Sequence, residues 1–325
     1  MKILVTGITG FIGRNFARTI NDENEYIFLV RNNSKVEFLK DYSNVNVVKT
    51  DFSKKELSES LKDVEIVVHM IGQMGGYGVS REQFEKINCD LTRNILKVCV
   101  ETKIKQFIYL STPGVQGFGK RLCVETEPYA PRNIYEETKE EAERIVISIL
   151  ENTNVKYTII RPDFVYGPGD YRRIKMYKNI RDKKFVLTTS GTSYLHPTYV
   201  DDVVQGIRCA IGNEKSYNEI FNISALNDIT VKEYLRIIAD YFGVKVLHIN
   251  IGYRGSYFLA GIIEKFYNLI LKRDGFVSKN KIDFLSIDHS TSCEKAQKMI
   301  GYKPQYDFKI GFIKTIQWCE DNNLL

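Results

Sequence analysis

Tyr135 and Lys139 stand four apart in the run Ile134-Tyr135-Glu136-Glu137-Thr138-Lys139, and their types and spacing suit chemistry. On a helix, residues i and i+4 share a face, with Cβ atoms roughly 5–6 Å apart. A phenol is a poor base near neutrality, its pKa being about 10. An ammonium held beside it favours the phenolate and lowers that value. The spacing therefore predicts a proton relay in which Tyr135 exchanges the proton of a substrate hydroxyl and Lys139 keeps it reactive. The same spacing also describes an ordinary solvated helix face. The distinction rests on whether the rest of the chain brings a cofactor to this pair.

The elements that would do so begin at the first residues. Lys2–Val5 is a short apolar run ending in Thr6-Gly7-Ile8-Thr9-Gly10-Phe11-Ile12-Gly13, and an apolar-periodic stretch (Phe11, Ile12, Phe16, Ile20) follows. Strand, glycine-rich turn and helix open a βαβ unit. The glycines let a phosphate approach the backbone, and the helix N-terminus offers its unpaired N–H groups to a pyrophosphate. The spacing is Gly-x-x-Gly-x-x-Gly, a variant of the general dinucleotide fingerprint.

The second strand, Tyr26–Val30, ends in Arg31-Asn32-Asn33-Ser34-Lys35, without the acid that holds the ribose hydroxyls in NAD sites. Arg31, with Lys35 or Arg14, could meet a 2′-phosphate, which favours NADP over NAD. An exposed loop arginine stacked on adenine is the plainer alternative. Asp51-Phe52, after strand Val45–Lys49, is an adenine-edge candidate, with a helix N-cap as the plainer role for Asp51. Strand Glu65–His69 runs into a glycine-rich loop, Met70 to Gly78, in which Gly72 would lie against cofactor and Gln73 against substrate. A helix from about Arg81 to Thr102 and strand Gln106–Leu110 follow. That alternation predicts an α/β fold with a Rossmann-type, doubly wound parallel sheet. Ser111 and Thr112 end the strand where ligands bind in such sheets, and Thr112 is preferred over Ser111 as the hydroxyl of the site.

Composition narrows the class. The 325 residues are 43% hydrophobic and 26% charged, as in ordinary globular proteins, and the net charge is +6. No Lys/Arg run is dense enough for a nucleic-acid groove, so the partner expected is a phosphate-bearing small molecule and not a nucleic acid. The six cysteines are scattered without a Cys-x-x-Cys, which predicts reduced thiols, no metal site and a cytoplasmic protein. No leader precedes the first strand, and no apolar run reaches the length of a membrane span. The nearest is Tyr257–Leu271, interrupted by Glu264-Lys265. It predicts a helix over the second lobe, or alternatively an interfacial helix that docks on a membrane or a partner.

Together these pieces resemble the extended short-chain dehydrogenase/reductase family, in its branch of sugar-nucleotide epimerases and dehydratases. The carriers are Thr6-Gly7-x-x-Gly10-x-x-Gly13, Ser111-Thr112, Tyr135-x-x-x-Lys139, and Arg161-Pro162-Asp163-Phe164-Val165-Tyr166-Gly167-Pro168-Gly169. His196-Pro197-Thr198-Tyr199-Val200-Asp201-Asp202-Val203, Lys295-Ala296 and Gly301-Tyr302-Lys303-Pro304 continue the order to near the end. The resemblance implies that Tyr135 is the acid/base, that Lys139 also binds the nicotinamide ribose, and that Thr112 hydrogen-bonds the reacting oxygen. Asn88 would brace the loop from the helix behind the site. The expected cofactor set is Gly7, Thr9, Gly10, Phe11, Ile12, Gly13, Arg31, Lys35, Asp51, Phe52, Gly72, Tyr135, Lys139, Pro162 and Val165. The expected substrate set is Gln73, Thr112, Tyr135, Tyr166 and Arg172.

The family's 4,6-dehydratases carry an Asp-Glu pair after the strand-end threonine, and its sugar-acid decarboxylases a glutamate at the second of those positions. Here Pro113 and Gly114 stand there, which leaves simple hydride transfer or epimerisation through a ketone. The reading is thus an NAD(P)-dependent enzyme of a nucleotide-activated sugar. Its rivals are a reductase or dehydrogenase of an apolar ketone or alcohol, of the dihydroflavonol or hydroxysteroid type, and a non-catalytic NADP-binding sensor.

In the second half, strand Val155–Ile160 precedes a turn at Arg161-Pro162, where Arg161 and Asp163 could pair. Tyr171–Lys183 is basic: a solvated helix face is the default reading, and a diphosphate near its start is the alternative. Asp201 suits a helix N-cap, and His196 a structural histidine. Strands Ile220–Ile223 and Val244–Ile249, and helices Val231–Phe242 and Phe308–Asp321, complete the chain. Residues 1–166, with return segments near 194–223, form the cofactor domain. Residues 167–325 form most of a smaller, interleaved substrate lobe, and a homodimer is possible.

Overall fold

Seven parallel strands form the central sheet in a computed structural model that describes residues 1–39, 44–75, 78–272 and 277–325. In chain order they are β1 Lys2–Thr6, β2 Glu25–Arg31, β3 Val45–Thr50, β4 Ile66–His69, β5 Gln106–Leu110, β6 Lys156–Pro162 and β7 Glu219–Ile223. In space they run 7-6-5-4-1-2-3, every neighbour parallel. Strand order reverses between β1 and β4, so the ligand crevice belongs at their carboxyl ends.

The inner strands are buried almost end to end, as a sheet covered on both faces requires, while in the edge strand β3 only Thr50 is buried. Alternation divides their side chains. Ile3 and Val5 join Phe16 and Ile207 in one apolar cluster, while Leu4 joins Ile95 and Val146 in the other. Helix α1 (Phe11–Arg18) serves the first cluster. Helices α2 (Leu91–Thr102) and α3 (Ile134–Leu150) serve the second. The single helix expected over 81–102 is α-helical at Arg81–Glu85, widens to a π-turn at Lys86–Asp90, and resumes as α2.

The second lobe packs α4 (Tyr171–Arg181), α6 (Val231–Tyr241) and α8 (Phe308–Asp321) around Tyr166, Tyr177, Tyr234, Phe308 and Phe312. Between them in sequence, α5 (Val200–Ala210) returns to the first domain and covers the sheet beside α1, and α7 (Gly252–Phe266) lies in the lobe. Because β7 completes the first domain's sheet, the chain crosses between the two lobes. A small four-stranded sheet joins Ile229–Thr230, Tyr194–Leu195, His289–Thr291 and Lys120–Cys123.

Three local expectations change. The strand expected over 244–249 contracts to Leu247–His248, because Val244 and Val246 turn into the lobe's apolar cluster. Asp201 is not an N-cap: Thr198–Tyr199 runs straight into α5, so Tyr199 takes that position. Asp202 then accepts from the Gln305 and Tyr306 N–H groups at 2.8 and 3.2 Å, fixing the C-terminal segment. Arg161 does not pair with Asp163. It forms a bidentate, buried bridge to Glu143 on α3, at 2.9 and 2.6 Å. Asp163 lies just past the end of β6 and faces Thr291 and His289 instead.

Candidate active site

The glycine turn does what its composition suggests. Gly7 has φ +79, and a Cβ there would lie 2.7 Å from the Met70 carbonyl carbon. A Cβ on Gly13 would lie 2.3 Å from the Gly7 carbonyl oxygen. Side chains are thus excluded where the turn after β1 meets the loop after β4 and where α1 packs on its own entry. Gly10 caps α1 without a side-chain acceptor, so the first-turn N–H groups remain for a ligand. These features fit a dinucleotide pyrophosphate.

A cavity of about 980 Å³ opens at this turn and runs to the second lobe. Its near wall includes Gly7, Gly10, Phe11, Ile12, Gly13, Gly72, Ser111, Thr112, Tyr135, Lys139, Pro162 and Val165, so the strand-end hydroxyls and the Tyr-Lys pair share one space with the glycines. Ser111 Oγ is buried with no protein partner. Thr112 Oγ1 accepts from the Gly114 N–H at 3.3 Å.

The relay differs from the expected one. Helix α3 starts at Ile134 under an Asn133 cap, which puts Tyr135 and Lys139 on one face. Yet Lys139 Nζ donates to Tyr109 Oη and to the Leu110 carbonyl, both at 2.6 Å, and sits 4.0 Å from the Tyr109 ring centroid. Burial pulls the Lys139 ammonium down to about 7, against the opposing pull of Glu143. The Tyr135 phenol is pushed up, not down. Burial raises it to about 12, while Arg172 and a hydrogen bond with Thr112 pull the other way. Helical phasing is right, but a tyrosine on the adjoining strand takes the ammonium.

Other expected residues divide. Arg172 lines the cavity mouth, where it bonds Asp170 at 2.9 Å and its Nη1 lies 3.0 Å from Met74 Sδ. Tyr166 does not reach the cavity: it is 1% exposed inside the second lobe's core, its hydroxyl donating to the Phe308 carbonyl at 3.3 Å. Gln73 is also outside the cavity lining. Its N–H donates to Asn88 Oδ1 at 2.7 Å and its side chain reaches back to the Gly75 carbonyl. Asn88 also donates to Thr138 Oγ1 at 2.9 Å, tying that loop to α3. Of the loop expected over 70–78, residues 76 and 77 lie outside the described residues.

Thr9, Arg31, Lys35, Asp51 and Phe52 are on the same edge of the sheet but outside the cavity wall. Arg31 and Lys35 are exposed. Asp51 is no N-cap; Ser53 is, and Asp51 Oδ1 accepts from the Ser53 N–H at 2.7 Å. Phe52 packs on the core. Arg14 is held by the Thr9 carbonyl at 3.1 Å and by the Phe38 ring.

Two residues escaped the sequence reading. His289 lines the cavity, with Nδ1 3.3 Å from Asp163 Oδ1. Burial lowers its pKa, but Asp163, with Glu136 adding to it, more than reverses this, so the shift is upward. It comes from a strand far along the chain, and no local pattern marks it. Glu136 folds over Gly114: a Cβ on Gly114 would meet its Cγ and Oε1 at 2.9 Å. The glycine therefore makes room for a buried carboxylate that accepts from the Arg132 N–H at 2.8 Å. His196, between the Thr291 and Ala225 carbonyls, is structural.

The far wall is apolar and basic together. Phe164, Met176, Phe185, Leu259, Ile263 and Phe284 line it, as do Arg172, Arg173, Lys175, Lys184 and Lys281. Asp170 is the one acid among the lining residues described.

Residues 3–224 match the model of the NAD dependent epimerase/dehydratase family. The chain is 26% identical to a decarboxylating sterol-4-alpha-carboxylate 3-dehydrogenase of Candida albicans, over 99% of this chain and 98% of that protein. It is 25% identical to a UDP-glucose 4-epimerase of Vibrio cholerae, over 99% and 97%. In fold it resembles a UDP-glucuronic acid 4-epimerase of Bacillus cereus, solved with UDP-glucuronic acid and NAD. There the TM-score is 0.79 at 20% identity, covering 99% of this chain and 100% of the other.

Proposed function

This chain belongs to the NAD dependent epimerase/dehydratase family, and from that premise we propose that it is an NAD(P)-dependent epimerase or oxidoreductase of a nucleotide-activated sugar, acting by hydride transfer through a keto intermediate. The observation that carries the substrate class is the charge of the far wall. Arg172, Arg173, Lys175, Lys184 and Lys281 line the same cavity as Tyr135; Asp170 is the one acid among the described lining residues, pairing with Arg172 and Arg173 at 2.9 Å, and Asp182 lies 3.3 Å from Lys184. Such a wall attracts a diphosphate and leaves the sugar to reach the phenol. The relatives named for UDP-sugars support the same class.

A bound nicotinamide dinucleotide supplies the acceptor and donor of hydride. Gly7, Gly10, Gly13 and the N-terminus of α1 would hold its pyrophosphate, and Lys139, Pro162 and Val165 its nicotinamide half. Tyr135, with its pKa near 12, is protonated at neutral pH and is set to donate to a carbonyl oxygen as that carbon gains hydride. In the opposite direction it is the deprotonated phenolate that takes the hydroxyl proton, so that direction starts from the minor, phenolate form of Tyr135. Thr112 holds the reacting oxygen, and Ser111, whose Oγ has no protein partner, is a second donor within the cavity. Lys139, fixed to Tyr109 and Leu110, would anchor the nicotinamide ribose from there.

The direct test is a panel of UDP-, GDP- and dTDP-sugars, each with NAD and with NADP, followed by NMR and mass spectrometry. Conversion of at least one sugar is expected. A second reading, an apolar alcohol or ketone, is favoured by Phe164, Phe185, Leu259, Ile263 and Phe284 on the far wall. No change in any sugar beside turnover of a sterol-like ketone would transfer the assignment to it.

For the cofactor, NADP is the proposal. Arg31 is exposed at the carboxyl end of β2, and no acid follows it through Lys35. Arg31→Ala should weaken NADP binding by roughly tenfold to a hundredfold and NAD binding little, since a charge-assisted hydrogen bond is worth about 1.5–3 kcal/mol. Equal losses in a fluorescence titration would remove the 2′-phosphate role.

A further inference from the structure

Helix α7 has two apolar faces, and the fold covers one of them. Ser256 and Ala260 are buried, and with Leu259 and Ile263 they form part of the cavity wall. Away from the cavity, Phe258 is 72% exposed, Ile262 53% and Phe266 51%. Their spacing of four sets them in one stripe. The π-turn Tyr267–Leu271 prolongs it, with Leu269 77% and Ile270 64% exposed. On the N-terminal side, Leu247, Ile249 and Ile251 are exposed as well and lead directly into the helix.

This segment adjoins a second strip of the same far wall. Leu247–His248 pairs with Val186–Leu187, and the Ile249 and Ile251 N–H groups donate to the Leu187 and Thr188 carbonyls at 2.9 and 3.0 Å. Val186 and Thr188 themselves line the cavity. Both strips of the far wall therefore pass into uncovered apolar side chains, a contiguous exposed patch of the kind that marks an interaction surface.

The charge around the patch selects its partner. Arg254 and Lys265 on α7, Lys245 before it and Lys272 after it are all exposed. The one acid of α7, Glu264, accepts from the Lys279 N–H at 3.2 Å. We infer that this face docks on an anionic lipid bilayer, with α7 lying in the interfacial plane. Bulky apolar side chains with flanking cations are what such helices use. A two-fold pairing with a second copy would set the cations Arg254, Lys265 and Lys272 of one copy's patch against the same cationic patch of the other, which the charge opposes. The attachment is peripheral, since no helix of the described residues is long and apolar enough to cross a membrane. Docked in this way, the protein opens its cavity at the lipid surface. Docking of this face on lipid does not depend on which substrate the cavity takes.

The test mixes the purified chain with vesicles of phosphatidylcholine, or of phosphatidylcholine and phosphatidylglycerol in equal parts, and reads the bound fraction by sedimentation. Binding to the anionic vesicles is expected, weakening as salt is raised. The triple variant Phe258→Asp, Ile262→Asp, Leu269→Asp should bind roughly a hundredfold more weakly, while circular dichroism and thermal unfolding show it folded. None of these three residues lines the cavity. Failure of the unaltered chain to bind either vesicle, or undiminished binding by the folded triple variant, overturns the proposal. So does a dimer in ultracentrifugation that the triple variant abolishes while the unaltered chain ignores lipid.

Discussion

Tyr135→Phe is expected to lower turnover by roughly 10²- to 10⁴-fold, the usual worth of a positioned general acid/base, while cofactor affinity changes little. The substitution removes one oxygen and leaves the ring. That oxygen faces the cavity shared by the glycine turn and the basic wall, and hydrogen bonding with Thr112 and the charge of Arg172 both act on it. The proposed pyrophosphate contacts come from Gly7 to Gly13, so they do not depend on it. Single-turnover kinetics with a converted sugar, alongside a binding titration, separate the two effects. A Tyr135→Phe enzyme that still turns over at the native rate would move the relay elsewhere, His289 being the other titratable group on the wall with a carboxylate at its back.

Glu143→Ala is expected to destabilise the fold by about 3–5 kcal/mol, because it leaves a guanidinium buried without its carboxylate. Glu143 and Arg161 have side chains 0% and 2% exposed. The carboxylate also accepts from Tyr129 Oη at 2.8 Å, and Arg161 Nη1 donates to the Glu125 carbonyl at 3.3 Å. Replacing both members, Glu143→Leu with Arg161→Met, should cost much less than either single change, since desolvation opposes the pair's attraction. Urea denaturation of the three variants measures this. Single variants within about 1 kcal/mol of the parent would mean that water reaches the bridge. Loss of Glu143 also removes the charge that holds the Lys139 pKa up, so its amine should titrate lower still.

The readable part of this protein was short-range. β1, the glycine turn and α1 were legible because a strand, three glycines and an apolar helical face occupy consecutive residues. The parallel sheet followed from the rhythm of apolar strands and helices, and α8 was legible at Phe308–Asp321 from its own periodicity. Helical phasing put Tyr135 and Lys139 on one face, since four residues of helix fix that geometry whatever surrounds it.

Tertiary structure decided which partner each long polar side chain found. Lys139 went to Tyr109 on β5 and Arg161 to Glu143 on α3, neither within four residues of its partner. Tyr166 passed into the core and Asp201 gave up the cap to Tyr199. His289 reached the cavity from a strand of the small four-stranded sheet. Backbone periods and turn chemistry are set by neighbours in the chain, so composition and spacing record them. Desolvation and ion pairing depend on which surfaces the completed fold brings within a few ångströms, and that is why the raised phenol and lowered amine came only with the packed structure.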